Sequence, residues 1–408
     1  MYKKNLSKYA DLAVKIGIGV KKGQTVIVKA PINTFDLTRE VTKKCYEVGA
    51  KDVIVEYSDE EINHQRLLNS PDEVIKDYPK WKIDGLMNYI KEGAAIINIV
   101  SSNPDLMSDV APNRLAIQNK AISQAAKEYR EYILGGKVHW TIIAYPNESW
   151  ATKVFPGSSP DEAVEKLWDN IFKATRVDHE DPVKAWEVHI NNLNERLKFL
   201  NEKSFKKLIY TAPGTNLEVE LPQGHIWIGG SQTSSNGDKF LPNLPTEEVF
   251  TVPKKTGVNG TLRSTKPLNY KSSLIDNFEF TFKNGKIVDF KAETGYETLK
   301  NLIETDEGSH FLGEIALVPH NSPISNTNII FYNTLYDENA SCHFAIGSAY
   351  LLCIENASRL TEEDKKRIGI NSSLTHVDFM VGSAKLNILG ITNSGEEIQV
   401  FKDGNWAF

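Results

Sequence analysis

Carboxylate and imidazole groups stand inside otherwise apolar strings in the C-terminal half of this chain. In the string Thr375-His376-Val377-Asp378-Phe379, an imidazole and a carboxylate are two residues apart in a strand-like pattern. Residues at this spacing in a β-strand point to the same face, about 6.5 Å apart along the chain. His376 and Asp378 could therefore bind one metal ion or two adjacent ions, although a hydrogen-bonded pair in a protein core would have the same spacing.

A single carboxylate, Glu314, interrupts the apolar run from Phe311 to Val318. Burying an unpaired charge costs roughly several kcal/mol, so this carboxylate needs a positive partner. The run itself contains no lysine or arginine. We therefore expect the partner to come from elsewhere in the fold, as a basic side chain or as a bound cation.

The segment from Leu335 to Tyr350 contributes a further carboxylate and a further imidazole. Its pattern predicts a helix from about residue 340 to 355. In that helix His343, Gly347 and Tyr350 would stand at i, i+4 and i+7 on one face, and Glu338 would lie at the helix start. Tyr350 at this spacing would be an ordinary core residue if His343 were not on the same face.

Two adjacent carboxylates, Glu247 and Glu248, lead into an apolar extended stretch. Neighbours in an extended chain face opposite ways, so at most one of these two side chains enters a common site. The pattern does not decide which one does, and a solvated acidic turn fits the same residues.

Several other catalytic patterns do not occur in the sequence. There is no G-x-x-x-x-G-K-[ST] loop, no H-E-x-x-H pair and no G-x-S-x-G elbow. Gly17, Gly19 and Gly23 follow a helical pattern and precede a strand, which is the reverse of the order that a dinucleotide-binding turn requires. The sequence thus gives no support to P-loop enzymes, helical single-zinc proteases or serine hydrolases.

The elements before residue 204 alternate between helical and strand-like patterns. Short apolar runs at 25–28, 53–55, 95–99 and 140–144 are separated by helical segments of ten or more residues. This alternation is typical of an α/β domain with a largely parallel sheet. A long polar helix from about Pro182 to Lys203 follows, and its end predicts a boundary between domains 1–203 and 204–408.

The elements after this helix are short strands separated by turn residues. The best hairpin runs from Phe278 to Phe290, with Asn284-Gly285 as its turn between alternating apolar residues. We therefore expect a β-rich α+β C-terminal domain. This domain has to position all of the carboxylates and imidazoles described above.

Composition excludes several classes of partner. The chain has 408 residues, 40% of them hydrophobic and 25% charged, as in a packed protein of two or three domains. A net charge of −6 without a basic cluster excludes nucleic acid as a partner, and no apolar run approaches the roughly 18 residues that cross a membrane. The cysteines form no C-x-x-C pair, which predicts free thiols and a cytoplasmic location; they are Cys45, Cys342 and Cys353.

Four ordered strings connect these residues to a known family. The strings NLPTEEVFT, LGEIALVP, LYDENASCHFAIGSAY and THVDFMVG closely resemble the thermophilic-type metallo-aminopeptidases, the group of aminopeptidase T and aminopeptidase S. The resemblance extends over the full chain, and its specific motifs lie between residues 243 and 381. It implies an enzyme that removes N-terminal residues from peptides with a free N-terminus, and it implies a homodimer.

The resemblance also implies a role for each site residue, and no metal position departs from the family pattern. Tyr350 is the implied catalytic tyrosine, and Glu314 is implied to bridge two divalent ions. The choice of Glu248 over Glu247 rests on the resemblance. Mixed oxygen and nitrogen ligands suit zinc, cobalt or manganese. The implied metal ligands are Glu248, Glu314, Glu338, His343, His376 and Asp378.

The hypothesis that follows is hydrolysis by a water that two ions share and activate. Tyr350 would donate a hydrogen bond to the carbonyl oxygen as it gains negative charge, and Glu248, Glu314 and Glu338 all qualify as the general base. Three alternatives stay open. They are a metal-dependent hydrolase of another amide or a phosphate ester, a non-catalytic metal-binding protein, and a glycosidase that uses two carboxylates without metal.

Overall fold

The computed structural model of the chain describes residues 2–270 and 273–408. Contacts divide these residues into two compact units. The first consists of the chain up to Ile190 together with Ser231–Pro245, and the second consists of Asn191–Gly230 and Thr246–Phe408. The domains expected at 1–203 and 204–408 stay a prediction, and the compact units differ from them in two segments.

Burial and pairing explain both differing segments. Leu193 follows residue 190 and is buried in the hydrophobic core of the second unit, so the residues around it join that unit. The segment 231–245 instead packs with the first unit. There the Leu244 N–H donates to the Ile142 carbonyl at 3.0 Å, and the Phe240 ring stacks on His139 with centroids 5.3 Å apart.

The first unit is built on a four-stranded parallel sheet. Its strands are β1 Thr25–Pro31, β2 Asp52–Ser58, β3 Ala95–Val100 and β4 Trp140–Ala144. They lie side by side in the order β2-β1-β3-β4. The valines and isoleucines of β1 and β3 are mostly buried, as in a parallel sheet that is covered on both faces. The α/β fold predicted for this part of the chain is confirmed.

Helices separate these strands, and further helices belong to the second unit. The α-helices are α1 Tyr2–Leu12, α2 Phe35–Glu47, α3 Glu60–Asn69, α4 Asp72–Ile75, α5 Lys80–Lys91, α6 Pro112–Ala125, α7 Lys127–Leu134, α8 Glu148–Val154, α9 Pro160–Ala174, α10 Pro182–Lys203, α11 Tyr296–Ile303, α12 Thr334–Asp337 and α13 Glu362–Ile368. The predicted long polar helix is α10. Within residues 2–270 and 273–408, no helix combines the length and the apolar character needed to cross a membrane.

The later strands form mainly antiparallel sheets in the second unit. These strands are β5 Lys207–Ala212, β6 Thr215–Glu220, β7 Ile228–Gly229, β8 Gln232–Thr233, β9 Lys239–Phe240, β10 Val249–Thr251, β11 Val258–Arg263, β12 Leu268–Tyr270, β13 Ser273–Lys283, β14 Lys286–Thr294, β15 Leu312–Leu317, β16 His343–Gly347, β17 His376–Met380, β18 Asn387–Ile391, β19 Glu397–Lys402 and β20 Asn405–Trp406. The larger sheet has the order β12-β13-β11-β6-β5-β18-β19-β20, with β14 paired to β13, and the smaller has the order β17-β16-β15-β10-β7. Strands β8 and β9 pair with each other in the first unit.

Strands β13 and β14 form the hairpin predicted around Asn284-Gly285. Both turn residues have positive φ angles, 51° and 81°, which is the conformation that favours Asn-Gly in two-residue hairpin turns. Alternate side chains of β13, namely Phe278, Phe280 and Phe282, are buried in the core of the second unit. The β-rich α+β fold predicted for this part of the chain is confirmed.

The helix predicted from about residue 340 to 355 is wrong. Residues His343–Gly347 form β16 between β15 and β17, and a short 3₁₀ helix, Leu351–Cys353, follows. All residues of β16 are buried, because the strand has a neighbour on each side and is covered on both faces. This burial removes the polar and apolar alternation by which a half-buried strand is recognised.

Candidate metal centre

Three adjacent strands of the smaller sheet bring carboxylates from distant parts of the sequence together. Glu314 in β15 pairs with Ala345 in β16, and Ala345 pairs with Asp378 in β17. Paired residues of neighbouring strands point to the same face of a sheet. The two carboxylates therefore flank a side chain of a single methyl group, which leaves open space between them. On β17, His376 pairs with Gly347, where no side chain occupies that face.

A first group of donor atoms forms around His343. This residue precedes Ala345 by two positions and so shares its face of β16. Glu248 comes directly before β10, which pairs with β15. The Nε2 atom of His343 lies 3.3 Å from Oε2 of Glu248 and 3.6 Å from Oε1 of Glu314. All three side chains are buried.

A second group of donor atoms forms on β17. The Nε2 atom of His376 lies 3.3 Å from Oε2 of Glu314 and 3.4 Å from Oδ1 of Asp378. In each group the donor atoms lie within 4.8 Å of one another. Glu314 belongs to both groups, through a different carboxylate oxygen in each.

Backbone carbonyls fix the orientation of both imidazoles. Nδ1 of His343 lies 3.1 Å from the Ser341 carbonyl oxygen, and Nδ1 of His376 lies 2.7 Å from the Ser348 carbonyl oxygen. A carbonyl oxygen only accepts hydrogen bonds, so Nδ1 carries the proton in each ring. In the neutral ring this leaves the Nε2 lone pair facing the carboxylates, which is the usual arrangement of a metal-binding histidine.

The crowded carboxylates control the protonation of these imidazoles in the metal-free chain. Burial lowers the pKa of His376, but the Asp378 and Glu314 carboxylates outweigh burial and raise the pKa to about 10. The same competition, with Glu248 and Glu314, raises the pKa of His343 well above its usual range. Without another cation, the imidazoles bind protons to balance the negative charge. A divalent cation would replace these protons, as metal binding to histidine requires.

Glu338 approaches the same charges from a short 3₁₀ helix, Glu338–Ala340. Burial, followed by repulsion from Glu248 and Asp378, raises the pKa of its carboxyl group well above the usual range. The buried neighbour Asn339 donates from Nδ2 to Glu338 Oε1 at 3.4 Å, and its Oδ1 accepts the Glu247 N–H at 2.7 Å. Asn339 thus ties the two acidic segments together.

Two buried carboxylate oxygens of this cluster show whether its residues fit a metal ion. Oε2 of Glu314 and Oδ1 of Asp378 are buried, and neither accepts a hydrogen bond within the part of the chain that the structure describes. Buried carboxylate oxygens that accept no hydrogen bond are costly. Both oxygens lie close to Nε2 of His376. These oxygen and nitrogen atoms converge at ion-pair distance, which fits a divalent cation in place of the imidazole protons, and their mixture suits zinc, cobalt or manganese.

Tyr350 lies beside the second group, although it is not on a helix with His343. It follows β16 by three residues, and its ring centroid is 4.4 Å from that of His376. Partial burial of Tyr350, which is 40% exposed, and then the negative charge of Glu314 raise its pKa above the ordinary value. The hydroxyl therefore keeps its proton at neutral pH and can donate a hydrogen bond.

Sequence reasoning missed the buried amides that support the centre. Besides Asn339, Asn371 is buried and donates from Nδ2 to the carbonyls of Gly347 at 2.6 Å and Gly308 at 2.8 Å. It thereby fixes the start of the segment that leads from β16 to Tyr350. The available signal was an asparagine directly after Glu338 and another five residues before His376, each next to apolar residues.

The carboxylate of Asp306 holds the chain that leads into β17. It accepts the Leu374 N–H at 2.5 Å, and the Ser373 hydroxyl and the Ser309 N–H each at 2.8 Å. Burial alone would raise the pKa of Asp306, but these hydrogen bonds lower it below its ordinary value. We expect Asp306→Asn to lower the free energy of unfolding of the metal-free protein at pH 7 by about 1–3 kcal/mol.

The pH dependence gives the control for this prediction. A carboxyl group whose pKa is lower in the folded state stabilises the fold above its unfolded pKa of about 3.9. This stabilisation is lost as the pH falls through the folded pKa of Asp306. Denaturant unfolding of both proteins between pH 7 and pH 3 should therefore give a difference that shrinks below about pH 4. A difference that is constant with pH contradicts the assigned role of the Asp306 charge.

Comparisons with known proteins cover the whole chain. The family model of the thermophilic metalloproteases (M29) matches residues 2–406. Aminopeptidase 2 of Geobacillus stearothermophilus is 49% identical over 407 residues, which is 100% of this chain and 98% of that protein. Aminopeptidase AmpS of Bacillus subtilis (strain 168) is also 49% identical over 407 residues, and the match spans 100% of this chain and 99% of the relative.

A solved structure agrees with these sequence matches. The structure of wild-type AmpT from Thermus thermophilus matches this one with a TM-score of 0.94 and 38% sequence identity, and 100% of each chain is covered. The family predicted from the four ordered strings is therefore confirmed. Because the family model and full-length relatives match from one end to the other, the chain belongs to the thermophilic metalloprotease (M29) family.

Proposed function

We infer that the chain is a metal-dependent aminopeptidase, and we propose that it uses two divalent ions. Membership of a metalloprotease family makes metal part of the working protein, and the full-length relatives are aminopeptidases by name. The observation that supports two ions is the position of Glu314, which contributes one oxygen to each of two groups of donor atoms. A single ion would leave one of these two groups of convergent donor atoms without a cation.

We propose zinc, cobalt or manganese as the ion, because the donors mix carboxylate oxygens with imidazole nitrogens. His343 and His376 are oriented by backbone carbonyls. The negative charges of Glu248 and Asp378 raise the pKa of Glu338, so its carboxyl group belongs to the same cluster of charges. Four carboxylates balance the charge of two divalent ions. The proposed ligands are Glu248, Glu314, Glu338, His343, His376 and Asp378.

Bound divalent ions would supply two effects, a lower pKa for a water molecule and polarisation of the peptide carbonyl. The protein supplies the geometry. Glu314 and Asp378 are held by β15 and β17 on either side of Ala345, so the donors are in place before substrate binds. Tyr350 keeps its proton and is proposed to donate a hydrogen bond to the carbonyl oxygen as negative charge develops there.

The activity can be tested with peptides that differ only at the N-terminus. We expect the protein to release the first residue from an unblocked dipeptide and none from the N-acetylated dipeptide, because the proposed substrate has a free amine. A chelator should abolish the release, and added zinc, cobalt or manganese should restore it. Amino acid analysis measures the product. Cleavage of the acetylated dipeptide, or activity that resists complete metal removal, would contradict the proposal.

Two further proposals concern the oligomeric state and the cellular location of the enzyme. We propose a homodimer, which the family resemblance supports and which sedimentation analysis can test. We also propose a cytoplasmic location. The free thiols of the described residues, all buried, agree with a reducing compartment; they belong to Cys45, Cys342 and Cys353.

A further inference from the structure

A cavity of about 340 Å³ lies next to the second group of donor atoms. Its volume is at the lower end of the range for ligand sites. One wall is β17, a second is the segment from Pro267 to Tyr270, and the third is formed by the residues around Ile330–Thr334. His376 and Asp378 are part of the first wall, so anything bound in the cavity lies directly beside the candidate metal centre.

Strand β17 borders this cavity and is the edge strand of its sheet, because among the described residues it pairs with β16 alone. Hydrogen bonds at its two ends reveal which peptide groups face β16. The Ser348 N–H donates to the Thr375 carbonyl at 2.8 Å, and the Val381 N–H donates to the Cys342 carbonyl at 2.9 Å. Because strand residues alternate with period two, the odd-numbered residues turn their peptide groups towards β16.

The even-numbered residues therefore turn their peptide groups to the opposite, open edge. One hydrogen bond supports this directly, since the Met380 carbonyl accepts the Thr265 N–H at 2.9 Å on that side. Closer to the centre, no strand of the described residues pairs with this edge at His376 and Asp378. An open strand edge of this kind is a template for another extended chain.

The wall opposite β17 is held in place before any ligand binds. The Asp337 carboxylate accepts the Phe331 N–H at 2.7 Å and the Asn333 N–H at 3.0 Å. These bonds fix the backbone on both sides of Tyr332, whose side chain lines the cavity with that of Ile330. The wall is therefore shaped by the fold rather than by the ligand.

The side chains around the cavity favour one class of occupant. Asp337, His376 and Asp378 supply polar groups to its lining. Partly exposed apolar surface comes from Ile330, Tyr332 and Val377, which suits an apolar side chain.

We propose that a peptide substrate enters this cavity as an extended strand along the open edge of β17. The residues that follow the cleaved bond would pair with the outward peptide groups of His376 and Asp378, and one of their side chains would pack against Ile330 and Tyr332. Recognition then depends on the substrate main chain and tolerates many side chains. The inference rests on the proposed aminopeptidase function.

Single-atom changes in the peptide backbone test the strand pairing. In the tetrapeptide Leu-Ala-Ala-Ala, an ester can replace either the second or the third peptide bond, which removes one N–H and keeps the shape. Alternate N–H groups of a paired strand face its neighbour, so one ester should raise KM roughly 10-fold and the other should leave it nearly unchanged. Equal KM values for both esters and the parent peptide overturn the proposal.

Filling the cavity provides an independent test. Thr334 has an exposed side chain on the cavity wall, and we expect Thr334→Trp to raise KM for the tetrapeptide roughly 10-fold. The matched control is Val288→Trp, an exposed position on β14 that does not line the cavity. A Thr334→Trp enzyme with unchanged KM contradicts the proposal.

A short substrate separates this inference from the proposed function. Leucinamide has a free amine and a cleavable bond but no residue beyond it. Chelator-sensitive hydrolysis of leucinamide, together with esters that have no effect, would leave the aminopeptidase in place and remove the strand pairing. Absence of hydrolysis of every substrate by the metal-loaded wild-type protein would remove both.

Discussion

Glu314→Gln is expected to weaken metal binding and to slow peptide cleavage strongly. The glutamine keeps the size of the side chain but removes its negative charge, and its amide NH₂ cannot bind a cation. Because Glu314 supplies an oxygen to each group of donor atoms, one substitution damages both groups. We expect turnover to fall roughly 10²-fold to 10⁴-fold or more, the range lost when a group that activates the attacking water is removed.

Metal analysis distinguishes this explanation from simple misfolding. Wild-type protein should hold two divalent ions per chain under the proposal, and Glu314→Gln should hold less than one after the same dialysis. Circular dichroism of both metal-free proteins should agree, because the substitution is matched in shape. Glu304→Gln is the control, since Glu304 is exposed after α11. A Glu314→Gln protein that retains two ions contradicts the bridging role.

The strand positions of the centre were predictable because they follow a local rule. His376 and Asp378 are two residues apart, and a period of two places both side chains on one face of β17. Glu314 was detectable as a charge inside an apolar run, and it lies at 4% exposure in the fold. Periodicity in the first case and the cost of burying a charge in the second were enough to identify these candidates from a few consecutive residues.

The position of Tyr350 was not predictable from local pattern, because it depends on the sheet. The string from His343 to Gly347 has no polar alternation, so it reads as a helix as readily as a strand. Only its pairing with β15 and β17 makes it a strand. The same pairing places the residues after β16 beside β17, where the Tyr350 ring contacts the His376 ring.

The choice between Glu247 and Glu248 illustrates a different limit. Alternation in an extended chain establishes that the two side chains face opposite ways, but the absolute direction depends on the strand that pairs with the next residues. Pairing of β10 with β15 supplies that information. It brings Glu248 within 3.3 Å of His343 Nε2, and the donor groups found in the described residues contain Glu248 rather than Glu247.

The sheet also explains why the candidate centre needs small residues as well as charged ones. Ala345 separates Glu314 from Asp378, and Gly347 lies opposite His376. A larger side chain at Ala345 would fill the space that a cation needs between the two carboxylates. The sequence HFAIG thus combines one proposed ligand and two small residues on one face with two core residues, Phe344 and Ile346, on the other.

Tyr350→Phe is expected to lower kcat while the metal centre stays intact. The substitution removes a single oxygen and keeps the ring that packs on His376 at 4.4 Å. If the hydroxyl stabilises the developing oxyanion, its loss should reduce kcat roughly 10²-fold to 10³-fold, as for other single hydrogen-bond donors to an oxyanion. KM should change little, because an interaction made only in the transition state does not contribute to substrate binding.

Tyr296→Phe is the matched control for this variant, because Tyr296 begins α11 and stacks on Phe290 away from the candidate ligands. Its kcat should equal that of the wild-type enzyme. Metal content per chain should be the same in all three proteins, since no proposed ligand is changed. A Tyr350→Phe enzyme with full metal content and full turnover would assign Tyr350 a packing role against His376 instead, and the oxyanion would then need a different donor.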